Sequence, residues 1–214
     1  MTILEFTTDV QSQLDTDGDA SVDYSSAAYA GPFAARVRRY LNQFCRETFA
    51  FYTMRETITL AVNDIQVNLL STPAVCSAAV FKPINVWVNN TALARVSSQQ
   101  LDRDTALTIP VTAPLQFAEL RAGVIRFNSK CAGTYAGTNY VSGYRDHAAL
   151  TVDGSLVELP DDILDVAALY CAIPLMRGVV SEEVGINRLK AYSSTAYGAA
   201  NRFRASNLAL HHQL

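Results

Sequence analysis

The densest run of potential metal ligands in the chain is Asp15-Thr-Asp-Gly-Asp-Ala-Ser-Val-Asp23. Carboxylates at alternate positions suit a hard cation that takes oxygen ligands, and Val22 stands where a helix–loop–helix calcium loop carries its apolar residue. Two positions break the pattern. Ala20 replaces the glycine of the sharp turn, and Ser26 replaces the bidentate acid that closes the loop. The run reads either as a degraded calcium loop or as a solvated acidic turn.

Other chemistry has fewer residues to work with. A Ser/His/Asp hydrolase needs an oriented imidazole, and the three histidines are His147, His211 and His212, two of them near the C-terminal end. Asp146 and His147 are sequence neighbours, which does not orient the ring, and no Gly-x-Ser-x-Gly elbow occurs. The acid pairs Asp161-Asp162 and Glu182-Glu183 fall at predicted helix starts, where the helix dipole accounts for them. Ala132-Gly133-Thr-Tyr-Ala-Gly137 lacks the Lys-Ser/Thr of a phosphate-binding loop. Cys45, Cys76, Cys131 and Cys171 form no Cys-x-x-Cys, so they read as small apolar residues in a reducing compartment. Arg36, Arg38, Arg39 and Arg46, interleaved with Tyr40 and Phe44, suit a salt-bridged interface or a solvated helix face better than a nucleic-acid groove, because the chain is acidic overall. The expectation is a protein that is not an enzyme, with no catalytic residue, metal site or cofactor.

These residues are carried by a recognisable succession of elements. Residues 3–14 predict a short helix and 15–26 a loop. Pro32 is placed to open a second helix ending near Tyr52, with Phe33, Val37, Leu41, Phe44 and Thr48 on one stripe at steps of three and four. Residues 55–158 read as β-structure. A strand is predicted over 57–62, and turns at Asn89-Asn90, Ala122-Gly123 and Asp153-Gly154 join alternating apolar runs. Such local connections predict antiparallel strands. Pro160, Asp161 and Asp162 then open a helix that is apolar on two faces and kinked at Pro174. A last helix, capped by Ser181, has the row Leu189, Tyr192, Ala196, Ala199 and Phe203, and its pattern fades after Asn207. The fold class is α+β: a helical bundle made by the N- and C-terminal helices (1–54 plus 159–214), with an inserted antiparallel β-hairpin or sandwich block (55–158).

Composition sets the frame. The chain has 214 residues, 50% hydrophobic and 17% charged, with net charge −3, enough apolar content for a sizeable core. The longest apolar stretch, 163–180, is interrupted by Asp165, Pro174 and Arg177 and falls short of the about 20 apolar residues of a membrane span. The first ten residues carry Glu5 and Asp9 and no base, unlike a secretory signal. Charge is polarised along the chain. Residues 1–30 hold six acids and no base, whereas 184–214 hold Arg188, Lys190, Arg202 and Arg204 and no acid. Such polarity suits head-to-tail self-association or a docking arm.

Four segments together resemble the head-to-tail adaptor (connector, tubular-tail) proteins of short-tailed bacteriophages. They are Ala34-Ala-Arg-Val-Arg-Arg-Tyr-Leu-Asn42 with Phe49, Ile84-Asn-Val-Trp-Val-Asn-Asn90 continuing to Leu101-Asp-Arg103, Glu119-Leu-Arg-Ala-Gly-Val-Ile-Arg-Phe127, and Leu159-Pro-Asp-Asp-Ile-Leu-Asp-Val-Ala167. The long stretch 128–153 and the acidic N-terminus depart from that pattern. The resemblance implies a virion structural protein of the neck, made in the host bacterial cytoplasm. It implies a homo-oligomeric ring, usually dodecameric, beneath the portal protein, bound to a tail or nozzle protein, with no membrane contact. DNA would pass through the channel without sequence-specific binding. It also implies a C-terminal segment that docks on the portal, here Arg202, Phe203, Arg204, Leu208, Leu210, His211 and His212, ordering on binding. Deleting 202–214 is then expected to weaken portal binding and leave the fold intact. Arg36, Arg38, Arg39 and Tyr40 are the expected oligomer interface, since ring closure needs two different faces per subunit. The alternative reading is a calcium-dependent binding module built on the acidic loop 15–23.

Overall fold

The computed structural model describes residues 1–15, 27–71, 74–104, 109–147, 155–176 and 183–211. In chain order the elements are α1 (Ile3–Asp15), α2 (Ala27–Thr48), β1 (Tyr52–Thr57), β2 (Gln66–Asn68), β3 (Val80–Val88), β4 (Thr91–Ala92), β5 (Ala94–Arg95), α3 (Ser98–Asp104), β6 (Gln116–Arg121), β7 (Val124–Phe127), β8 (Tyr140–Arg145), α4 (Asp161–Met176) and α5 (Glu183–His211). The fold is mixed α+β, with helices at both ends of the chain. It divides into two compact units, Met1–Ala50 with His147–Leu214, and Phe51–Asp146. Asp15 ends α1, while the rest of the acidic loop (16–26), the Asp153-Gly154 turn and the Ser181 cap lie outside the described residues.

In the helical unit α4 packs against α1, α2 and α5. Its buried residues include Leu164, Ala167, Cys171 and Leu175 on one side and Tyr170 and Ile173 on another, as a helix between layers requires. Pro174 sits near its end, where only the last turn lacks an amide donor. The stripe Phe33, Val37, Leu41, Phe44 and Thr48 on α2 is fully buried. Thr2 and Glu5 form a reciprocal capping box at α1: the Thr2 amide donates to Glu5 Oε2 at 2.6 Å, and the Glu5 amide to Thr2 Oγ1 at 3.2 Å. The neighbouring Leu156 pairs with Thr2 in an antiparallel bridge. The segment expected to close the β block therefore runs alongside the N-terminus, in the helical unit.

The β unit holds two four-stranded sheets, ordered β1-β8-β3-β4 and β2-β7-β6-β5. Val86, Val88 and Val141 from the first share one buried core with Val67, Phe117, Ile125 and Phe127 from the second. Two of the three turns read from sequence are present. Asn89 and Asn90 have φ of 52° and 59° between β3 and β4, and Gly123 has φ of 66° between β6 and β7.

Four expectations need correction. The first strand spans 52–57, not 57–62. Ile58 and Leu60 alternate into the core, but their backbone leaves the ladder, with the Ile58 and Thr59 amides donating to Asn139 and Val75 carbonyls at 3.1 and 2.9 Å. Burial alone produced the alternation there. Helix α2 begins five residues before Pro32 and ends at Thr48, short of Tyr52, so Pro32 removes a donor from its second turn instead of opening it. The sheets are not wholly antiparallel, because β5 pairs with β6 in parallel, the intervening chain running through α3. Helix α5 continues past Asn207 to His211, because Phe203 and Asn207 anchor it to α2. The 202–211 segment is thus helical, and deleting 202–214 would remove those anchors.

Candidate assembly surface

Helix α2 ends in a Schellman motif. The Ala50 amide donates to the Cys45 carbonyl at 3.0 Å and the Phe49 amide to the Arg46 carbonyl at 3.3 Å. The left-handed position of this motif usually holds glycine, but here it holds Phe49, with φ of 52°. The Arg204 guanidinium lies 5.2 Å from the centre of the Phe49 ring. One turn further along α5, the Asn207 side-chain amide donates to the Thr48 carbonyl at 2.9 Å. Phe203 stacks on Phe44, with centroids 6.4 Å apart and planes 10° apart. Three consecutive contacts thus fasten the C-terminal half of α5 to the carboxyl end of α2, where a cation also complements the helix dipole.

Between these helices lies a cleft of about 240 Å³ lined by Glu47, Tyr170, Tyr197, Asn201 and Arg204, among others. Tyr170 donates to Glu47 Oε2 at 2.6 Å and meets Phe44 and Tyr197 edge-on at 5.3 and 5.7 Å. Burial, reinforced by the accepting Glu47 carboxylate, holds the Tyr170 phenol well above its ordinary range. The geometry holds that phenol as a donor to Glu47.

The expected site residues separate into anchored and outward-facing groups. Phe203 and Arg204 make the contacts above, and Leu208 is half-buried. Arg202 is exposed. Leu210 and His211 lie on the last turn of α5, and His212 lies outside the described residues. On α2, Arg36 and Arg39 are exposed, whereas Arg38 and Tyr40 are half-buried. Arg39 donates to the Tyr40 hydroxyl at 3.3 Å. The row Arg36, Arg39, Gln43, Arg46 runs along the exposed side of α2 at steps of three and four.

Apart from Glu47 on α2, the exposed acids among the described helix residues of the same unit lie on its other helices. Glu5 on α1 and Asp161, Asp162 and Asp165 on α4 are all exposed. The helical unit carries fourteen acids against nine bases, whereas the β unit carries eight bases against six acids. Sequence reasoning found the acid–base polarity between the two ends of the chain but not this division between units, because the bases of the β unit are scattered singly over many strands.

Three further groups sit in structural roles. His147 is buried, and its Nε2 accepts the Glu158 amide at 2.8 Å. Burial, aided by Glu56, pushes the Cys76 thiol up to about 12; burial, aided by Asp64, pushes the Cys131 thiol up to about 11. All four cysteines are buried and none forms a disulfide. Among the described residues there is no group of three or more His, Cys, Asp or Glu placed to hold a metal, and no helix long and apolar enough to cross a membrane. The side chains of Leu189 and Tyr192 lie outside the described ones; from Ala196 the row of α5 runs Ala196, Ala200, Phe203, Asn207, with Ala200 in place of the expected Ala199, and it ends on a polar anchor that hydrophobic periodicity does not mark. Compared with known proteins, the chain matches no family model and no curated relative.

Proposed function

We propose that this chain is a virion structural adaptor of the head-to-tail type, a non-enzymatic ring subunit of the neck that seats beneath a portal and connects it to a tail or nozzle. The observation that carries this reading is the segregation of exposed charge within the helical unit. Arg36, Arg39 and Arg46 on α2 and Arg202 and Arg204 on α5 stand against Glu5 on α1 and Asp161, Asp162 and Asp165 on α4. Closing a ring needs a heterologous contact between two unlike faces of one subunit. Faces of opposite sign fix the register and orientation of such a contact, while apolar area supplies more of its affinity. The four sequence segments that resemble the adaptor family support the same reading. In it, Arg36, Arg38, Arg39 and Tyr40 belong to the subunit contact. Arg202, Leu208, Leu210 and His211 belong to the portal-facing end of α5, held in place by Phe203 and Asn207.

The test is to mix the purified protein with the portal ring encoded beside it and image the mixture by electron microscopy. An added ring at the narrow end of the portal is the expected result and gives the symmetry. Absence of association with an intact portal would overturn the reading.

A further inference from the structure

The outer face of the first sheet carries a group of side chains that the adaptor reading does not use. Tyr140 on β8 is the direct cross-strand partner of both Thr57 on β1 and Trp87 on β3. Directly paired residues share a face, so Tyr140 and Trp87 stand side by side, opposite the face on which Val86 and Val141 enter the core. Arg55, exposed on the edge strand β1, lays its guanidinium 3.7 Å from the centre of the Tyr140 ring. The Tyr140 hydroxyl is tied back to the Gly137 carbonyl, which fixes the ring beneath that cation. Arg55 makes no ion pair among the described residues. These residues line a cleft of about 330 Å³, with Met54 and Asn90 at its sides and no acid among the described residues of its wall.

We propose that this cleft binds a nucleotide unit, with the base stacked on Trp87 and the phosphate held by Arg55. The chemistry points there for three reasons. Half-exposed aromatic rings on adjacent strands of a sheet make a stacking platform that accepts any base face. A guanidinium held over the Tyr140 ring, with no ion pair among the described residues, retains N–H donors for a planar or tetrahedral oxyanion. The unit that carries the cleft has an excess of bases over acids inside an acidic chain, so an anion is drawn to this part of the molecule. The nucleotide comes either free or as part of a single strand, and both present the same base and phosphate.

Trp87 is the only tryptophan in the chain, so its fluorescence reports this cleft alone. The intact protein is titrated with octathymidylate, thymidine monophosphate, octaglutamate and maltose. Saturable quenching by the two thymidylates, and not by octaglutamate or maltose, is the expected result. At least tenfold tighter binding of the octamer assigns the strand, and equal affinities assign the free nucleotide. With fluorescein-labelled octathymidylate followed by anisotropy, one phosphate contact gives a log–log salt slope of about −0.7, which Arg55→Ala should abolish. Trp87→Leu should weaken binding at least about fivefold through the lost stack. Arg55 is exposed, so Arg55→Ala keeps the test decisive even where the Trp87 variant fails to fold. No saturable quenching by either thymidylate at millimolar concentration, equal quenching by octaglutamate or maltose, or an unchanged salt slope in Arg55→Ala would overturn the proposal. None of these readouts depends on ring assembly.

Discussion

Asn207 Nδ2 reaches across from α5 to the backbone carbonyl of Thr48, 159 residues earlier in the chain, at 2.9 Å. Both residues are buried, and that carbonyl belongs to the end of α2, where the helix itself supplies no donor. A buried acceptor left without a partner costs about 1–3 kcal/mol. Asn207→Ala is therefore expected to destabilise the protein by about that amount in urea unfolding, without altering the unfolding slope. A loss below about 0.5 kcal/mol would show that water replaces the amide at no cost.

Phe49 separates backbone strain from ring contacts. An L-residue in the left-handed region costs about 1–2 kcal/mol that glycine avoids. Phe49→Ala keeps the strain and loses the ring, whereas Phe49→Gly loses both. Phe49→Gly should therefore unfold at higher denaturant than Phe49→Ala, by about 1 kcal/mol in stability. Equal stabilities would mean that position 49 relaxes out of its positive φ once the ring is gone.

Gly143 is required by the sheet. It pairs with Pro83, which lacks an amide and interrupts the β3 ladder beside a register shift. A Cβ on Gly143 would come within 2.9 Å of the Pro83 Cα and closer still to the Lys82 carbonyl oxygen, both backbone atoms that cannot swing aside. Gly143→Ala should cost about 2 kcal/mol or more through overpacking. Circular dichroism during thermal unfolding reads it directly, and an unchanged midpoint would contradict the close approach.

The capping box gives a signed pH effect. Hydrogen bonds from the Thr2 amide, and then its hydroxyl contact, hold the Glu5 carboxyl below the ordinary glutamate range. Since its pKa is depressed in the folded state, its contribution is complete above the unfolded value and is lost as pH falls through the folded value. The difference in thermal midpoint between wild type and Glu5→Gln should be constant at neutral pH and shrink on acidification through that window. A difference that stays constant through the window would remove the carboxylate from the cap.

Much of this molecule was set locally. The α2 stripe, the Asn89-Asn90 and Ala122-Gly123 turns and the doubly apolar α4 follow from side-chain period and from residues that tolerate positive φ, both properties of adjacent residues. Polarity between the chain's ends was legible because charge is counted without coordinates. Tertiary structure decided the rest. Ile58 and Leu60 alternate like a strand because they are buried, and only the positions of Asn139 and Val75 show that the Ile58 and Thr59 amides bond outside the ladder. The parallel β5–β6 pair depends on a crossover whose direction no local signal records. Asn207 and Thr48, like Arg55 and Tyr140, hold complementary chemistry far apart in sequence. Their meeting is a consequence of packing, which sums contacts over the whole chain and so cannot be read from any one segment of it.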